Sequence, residues 1–259
     1  MPFIELPGGR IHYRLEGPRD APALVLSNSL GTDLSMWEPQ VPAFSRQFRV
    51  LRYDTRGHGA SEFSATTETI AGHGRDVVEM LSYLGIERAH FCGLSMGGMI
   101  GMWLAARAPE YVDKLVLCNT SARIGTSEMW DARIVAIKAG GMEAVAPAVM
   151  ARFFSPSFLE EESALVQATR RVLIATLVEG YGACCAAIRD GDQSANLCFI
   201  QAPTLVLAGT HDLATPPGDG QSLARAIQGA RYCELNAAHL SNIEAPEQFT
   251  EALLRFLAE

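Results

Sequence analysis

The sequence predicts an α/β fold: a mostly parallel eight-stranded sheet flanked by helices, with a helical segment inserted after the sixth strand. Three observations carry that expectation. Short apolar runs bounded by turn residues recur along the first 120 residues and again beyond residue 200. Amphipathic stretches separate most of them, and near-continuous apolar strands alternating with helices indicate a parallel sheet covered on both faces. Between about residues 121 and 200 the strand pattern stops and only helical stretches occur. The expected organisation is a core of residues 1–120 and 201–259 with a helical cap of residues 121–200.

Taken in order, the chain opens with a hairpin pattern over residues 3–6 and 11–16. Strands follow at Ala23-Leu-Val-Leu-Ser-Asn, Phe48-Arg-Val-Leu-Arg-Tyr-Asp, His90-Phe-Cys-Gly-Leu and Lys114-Leu-Val-Leu-Cys. Helices are expected between them over 33–45, 70–84 and 96–107, the second carrying Val77, Met80, Leu81 and Leu84 at helical spacing. In the insertion the helical stretches are 128–139, 142–154, 157–177 and 182–189, and their Met, Ala and aromatic content predicts packing on an apolar surface. Alternation resumes with Pro203-Thr-Leu-Val-Leu-Ala-Gly, a helix near 220–227, a strand at Arg231-Tyr-Cys-Glu-Leu and a last helix over 247–257. No internal repeat or low-complexity segment is present.

With 259 residues, 48% hydrophobic and 19% charged, the chain has enough apolar material for one large core, which excludes intrinsic disorder. A formal net charge of -8 provides no basic stripe, so nucleic acid and acidic membrane surfaces are not expected partners. No apolar run approaches the roughly 18–20 residues that span a bilayer, and the first residues lack a basic start followed by an apolar stretch. A cytoplasmic location is therefore expected. Six cysteines (Cys92, Cys118, Cys184, Cys185, Cys198 and Cys233) form no C-x-x-C pair and mostly occupy apolar runs, as reduced, buried thiols do. A metal or redox site on Cys184 and Cys185 is not expected, because neither His nor further Cys stands near them at ligand spacing.

The sharpest chemical signal is Gly93-Leu94-Ser95-Met96-Gly97-Gly98, between a predicted strand and a predicted helix. That is the context of a G-x-S-x-G nucleophile elbow, in which side chains at positions 93 and 97 would obstruct a tight turn around Ser95. The helix N-terminus beyond it offers N–H groups where negative charge develops. A serine needs a base, and the base needs orienting. Of six histidines, His12, His58 and His73 read as structural or solvated, and His90 begins the strand at the end remote from the elbow. His211 could line the site, although its neighbour Asp212 suits the orienting role better. His239 lies on a loop just past the last strand, at the sheet edge where catalytic groups gather. Asp212, immediately past the preceding strand, is the acid of choice, and its competitor Asp54 is read as bracing the Arg56-Gly-His-Gly turn. For the oxyanion the expected donors are the N–H groups of Met96 and of Leu30, the latter in the loop Ser27-Asn28-Ser29-Leu30-Gly31 after the third strand.

The order Ser95, Asp212, His239, together with Tyr53-Asp-Thr-Arg-Gly-His-Gly-Ala-Ser and His239-Leu-Ser-Asn-Ile-Glu-Ala-Pro, resembles the α/β-hydrolase superfamily over the whole chain. A stretch beginning Asn119-Thr-Ser-Ala-Arg-Ile-Gly and running to Trp130-Asp-Ala-Arg-Ile, with Asp212-Leu-Ala-Thr-Pro-Pro, is similar to the 3-oxoadipate enol-lactonases of bacterial aromatic-acid breakdown. The resemblance implies serine-dependent hydrolysis of a small carboxylated enol-lactone, 3-oxoadipate enol-lactone to 3-oxoadipate, in protocatechuate catabolism, without metal or organic cofactor. Departures are visible: Asn28-Ser29 stand where such hydrolases often carry His-Gly.

An anionic lactone approaching a protein of charge -8 needs a local cation. Trp130 and Arg133, spaced i, i+3 on the first helix of the insertion, would share one face, with Arg133 meeting the carboxylate and Trp130 walling the pocket. Arg123, Lys138, Arg152 and Arg189 are rivals for that role. Alternatives to the lactonase reading are a broad esterase with perhydrolase or carbon–carbon bond hydrolase activity, and a receptor-like binding protein that keeps the fold. Haloalkane dehalogenase chemistry is disfavoured because the elbow holds Ser rather than Asp.

Overall fold

A computed structural model describes residues 2–63, 68–161 and 163–259. In chain order the strands are β1 (Phe3–Leu6), β2 (Gly9–Glu16), β3 (Ala23–Ser27), β4 (Arg49–Tyr53), β5 (Ala89–Leu94), β6 (Val112–Cys118), β7 (Thr204–Gly209) and β8 (Arg231–Leu235). They form one eight-stranded sheet in the order β1-β2-β4-β3-β5-β6-β7-β8. Its β1–β2 and β2–β4 pairs are antiparallel and the rest parallel.

The helices are α1 (Val41–Phe44), α2 (Ile70–Tyr83), α3 (Met96–Arg107), α4 (Ser127–Gly140), α5 (Ala146–Phe153), α6 (Pro156–Glu160), α7 (Ala164–Ala175), α8 (Val178–Asp190), α9 (Pro217–Ala226), α10 (Ser241–Glu244) and α11 (Pro246–Leu257). Every residue of β3, β5 and β7 is buried, which explains why these strands read as unbroken apolar runs rather than alternating ones. Helix α3 packs closely behind them because its glycines allow it: a Cβ on Gly101 would lie 2.8 Å from the Phe91 ring.

The parallel register aligns the strand ends that matter. Ser27 pairs with Gly93, Leu94 with Cys118, Cys118 with Leu207, and Gly209 with Leu235. The loops after β3, β5, β6, β7 and β8 therefore leave the sheet along one edge, carrying Leu30, Ser95, Asn119, Asp212 and His239. Between β6 and β7 every described regular element is helical. Trp130, Val149, Phe153, Leu173 and Tyr181 from that segment belong to the same buried apolar cluster as the sheet residues, so its apolar content does pack inward.

Several helix boundaries differ from the sequence expectation. The stretch 33–45 is a short 3-10 turn (Leu34–Trp37) followed by α1, interrupted where Pro39 intervenes. The segment 142–154 divides into a 3-10 turn and α5, and 157–177 divides into α6 and α7, each of the latter begun by a serine side-chain cap, Ser155 and Ser163. Position 162, within the predicted 157–177 helix, lies outside the described residues. Four cysteines are buried as expected, but Cys198 is exposed and Cys233 half-buried, and all six are free. No single helix among the described residues is long and apolar enough to cross a membrane.

Candidate active site

Ser95 stands between β5 and α3 with φ 58° and ψ -114°, a backbone conformation that a side-chain-bearing residue adopts only when its surroundings impose it. Those surroundings are glycines. A Cβ on Gly93 would lie 2.1 Å from the Gly97 carbonyl oxygen, and one on Gly97 would lie 2.2 Å from that of Ser27. The turn is pinned by the Ser95 N–H donating to Cys118 O at 2.9 Å and by the Thr120 hydroxyl donating to Ser95 O at 2.7 Å.

His239 donates through Nδ1 to Asp212 Oδ2 at 2.8 Å, an assignment that follows from the carboxylate having only acceptors and that leaves Nε2 with a free lone pair. The Phe153 ring from α5 stacks over the imidazole, 9° from parallel, at a centroid distance of 6.2 Å. Asp212 is held by more than its histidine. Oδ1 accepts the Ala214 and Thr215 N–H groups at 2.8 and 3.0 Å, while Oδ2 also accepts the Thr215 hydroxyl at 2.7 Å and the Asn119 amide at 2.9 Å. Burial alone would raise this carboxyl, yet the imidazole charge and these donors outweigh it and bring its pKa down to about 2.

The competing carboxylate has its own histidine. Asp54 Oδ2 contacts His12 Nδ1 at 2.7 Å and accepts the Ala60 N–H at 2.9 Å, while Oδ1 accepts the Leu34 N–H at 2.8 Å. Through these contacts it braces the turn after β4, and burial pushes its carboxyl up rather than down. His73 is buried, His90 pairs with Asp113 at 3.2 Å, and His211 is exposed with its Nε2 bonded to Asn236.

After β3, the Gly31 N–H donates to His58 Nε2 at 3.0 Å, and the Gly97 N–H donates to Asn28 O at 3.0 Å. Gly98 donates to Ser95 O. The Leu30 and Met96 N–H groups, between these, donate to no acceptor among the described residues. Gly31 itself has φ 79°, and a Cβ there would meet Leu173 at 2.7 Å, so the loop and the insertion touch where only glycine fits. Burial drops the His58 pKa to about 4, which keeps the ring neutral and able to accept from Gly31.

Two residues that position this site, Asn119 and Glu244, escaped the sequence reading, and a third, His58, was read there as structural or solvated. Asn119, at φ 45°, donates to Asp212 and to Ala238 O, and its oxygen accepts the Ser241 hydroxyl at 2.6 Å. Glu244 Oε2 accepts the Ala238 N–H at 3.1 Å and the Ser155 N–H at 3.2 Å, tying the His239 loop to the insertion. His58 supports the Leu30 loop. Each stood inside a stretch already distinctive in sequence, but nothing in spacing revealed a partner so far along the chain.

Ser95, His239 and Leu30 line one pocket, of about 570 Å³ including its mouth, which Trp130, Arg133 and Arg152 also line. The Arg133 guanidinium sits 4.7 Å from the Trp130 ring centroid, so the i, i+3 pair shares a face as expected. Trp130 is locked by its indole N–H donating to Ile124 O at 2.6 Å. The buried Tyr181 hydroxyl lies beside the Arg133 guanidinium. Of the four rival cations only Arg152 reaches this pocket. Arg189 is engaged with Asp131 and Asp190, and Arg123 and Lys138 are exposed elsewhere. Neither Arg133 nor Arg152 forms a salt bridge to a described carboxylate.

Residues 22–246 match the alpha/beta hydrolase fold family. The chain is 40% identical to 3-oxoadipate enol-lactonase 2 of Acinetobacter baylyi over 94% of its length and 91% of that protein, and 40% identical to enol-lactonase 1 of the same organism over 96% and 94%. Its fold superposes on the crystal structure of the enol-lactonase from Burkholderia xenovorans LB400 with a TM-score of 0.98 and 49% identity, covering 100% of both chains.

Proposed function

Because the chain belongs to the α/β-hydrolase family, we propose that it hydrolyses 3-oxoadipate enol-lactone to 3-oxoadipate, with Ser95 as nucleophile, His239 as base and Asp212 as the acid that orients it. His239 Nε2 removes the Ser95 proton as Oγ attacks the lactone carbonyl, and the Leu30 and Met96 N–H groups hold the oxyanion. Collapse breaks the ring C–O bond, and His239 returns the proton to the enol oxygen, which leaves readily because the enol becomes a ketone. The acyl-enzyme is then attacked by water, activated by the same imidazole, to release the acid. Asp212, ionised far below neutrality, stabilises the imidazolium in both halves.

The observation that carries the substrate assignment is a single pocket joining Ser95 and His239 to two arginines without carboxylate partners among the described residues. Unpaired guanidinium groups at the wall of a part-apolar pocket suit a carboxylated substrate, and Arg133 on its Trp130 platform is the primary ligand for that group. The reaction belongs in cytoplasmic catabolism of aromatic acids. The test follows ultraviolet loss of the enol-lactone beside hydrolysis of an uncharged phenyl ester and compares kcat/KM. A clear preference for the lactone supports the reading, equal or better hydrolysis of the phenyl ester makes the protein a broad esterase, and binding without turnover makes it a receptor-like protein.

A further inference from the structure

Away from the pocket, the structure brings together three side chains whose chemistry the proposed reaction does not use. Glu68 precedes α2, His73 lies in its first turns, and Cys184 lies on α8 in the insertion. Glu68 Oε2 is 3.2 Å from His73 Nε2, and Cys184 Sγ is 3.6 Å from the same carboxylate oxygen and 3.7 Å from the same ring nitrogen. All three are buried at the side-chain level: His73 is 1% exposed, Glu68 4% and Cys184 fully buried.

A tetrahedral ion with metal–ligand bonds of about 2.0–2.3 Å separates neighbouring N, O and S ligands by about 3.3–3.6 Å, so the observed triangle has the dimensions of one face of such a site. Glu68 Oε1, on the carboxylate that faces His73 and Cys184, is buried with no hydrogen-bond partner among the described residues, so the cluster leaves acceptor capacity unused. The ligands are also held in advance. Gly180 of α8 meets Gly57 backbone to backbone, where a Cβ on Gly57 would lie 2.5 Å from the Gly180 Cα, and this fixes the helix that carries Cys184 one turn later.

We propose that Glu68, His73 and Cys184 form a binding site for a zinc-class divalent transition metal that fastens the helical insertion to the core. Thiolate, imidazole and carboxylate together suit such an ion, whereas Mg²⁺ and Ca²⁺ select all-oxygen sets. On binding, the Cys184 S–H bond breaks, its proton leaves to solvent and the sulfur pair forms the metal–sulfur bond. His73 contributes the Nε2 lone pair and keeps its proton on Nδ1. One thiolate, one carboxylate and a divalent cation sum to zero charge, the balance a buried site requires. A fourth position is left to water or to Glu68 Oε1. The proposal reverses the sequence expectation that no metal would bind near Cys184: its partners lie 111 and 116 residues away along the chain, outside any local ligand spacing.

The test uses the full-length protein, stripped with a chelator and titrated with Co²⁺ as the spectroscopic stand-in for Zn²⁺. One equivalent should produce a near-ultraviolet thiolate-to-cobalt band and the intense visible bands of tetrahedral cobalt, both bleached by Zn²⁺. Cys184→Ser should abolish the thiolate band and Cys185→Ser should leave it intact, with hydrolysis of an uncharged ester confirming that each variant is folded. Should Cys184→Ser fail to fold, Glu68→Gln takes its place: Zn²⁺ should raise the wild-type Tm and leave that of Glu68→Gln unmoved. Absence of a thiolate band in the wild type, its survival in Cys184→Ser, or an equal Zn²⁺ effect on the Tm of Glu68→Gln would overturn the proposal and leave a buried proton-sharing cluster.

Discussion

Replacing Arg133 by Met separates recognition of the substrate carboxylate from the chemistry at Ser95. The guanidinium lines the pocket, sits 4.7 Å from the Trp130 centroid and has no salt-bridge partner among the described residues, so its charge is available to a ligand. Met keeps length and apolar contact with the indole while removing the charge and the fork of N–H donors. A hydrogen bond to a charged group contributes about 1.5–3 kcal/mol, which converts to roughly a 10- to 150-fold loss in kcat/KM for the carboxylated lactone. The lower half of that range is expected, because Arg133 is only half-buried and Arg152 lines the same pocket. An uncharged phenyl ester never used the cation and should be turned over within about twofold of wild type. Steady-state assays of both substrates on Arg133→Met, Arg152→Met and the double variant give the ratio directly. Equal losses on the two substrates would show that Arg133 supports the insertion rather than the ligand, and no loss on either would refute the assignment and pass the role to Arg152.

Four further outcomes follow from the geometry. Ser95→Ala should fold with an unchanged Tm and lose activity on the order of a millionfold, and a variant keeping a tenth of wild-type turnover would remove Ser95 from the mechanism. Asp212→Asn should lower kcat by roughly 10⁴, whereas Asp54→Asn, whose partners are His12 and the turn after β4, should lower stability and leave kcat within a few-fold; the reverse pattern in a side-by-side assay would exchange the two carboxylates. His58 titrates near 6.5 when unfolded and near 4 in the fold, so the unfolded chain binds the extra proton first. Its contribution to stability is therefore complete above pH 6.5 and falls by up to about 1.4 kcal/mol per pH unit down to pH 4, a slope that urea titrations should find reduced in His58→Gln. Glu244→Ala leaves the Ala238 and Ser155 N–H groups without their acceptor and should cost about 1–3 kcal/mol of stability and lower kcat on both substrates, while Glu244→Gln, whose amide oxygen still accepts, should restore both.

The parts of this protein legible in its sequence are those whose causes are local. An apolar run of five or six residues bounded by turns reads as a buried strand, and β3 to β7 fall where such runs predict them; β8 also falls where expected, although only its Leu235 is buried. The elbow is local in part: the clash that excludes a side chain at position 93 comes from the turn's own Gly97, whereas the one at position 97 comes from Ser27 at the end of β3. Once parallel strands are ordered along one edge, residues just past their C-terminal ends must share a neighbourhood, which is why Ser95, Asp212 and His239 could be chosen by position. Tertiary structure decided what depends on distant partners. It decided which cations of the insertion face the pocket, since access for Arg133 and Arg152, and the capture of Arg189 by Asp131 and Asp190, are set by how helices pack rather than by their periodicity. It broke long amphipathic stretches into α5, α6 and α7, the last two begun by the Ser155 and Ser163 side-chain caps. It also brought Asn119 to Asp212 and Cys184 to His73, contacts spanning 93 and 111 residues, and no spacing rule can encode a contact whose distance along the chain is fixed only by the path of the fold between its ends.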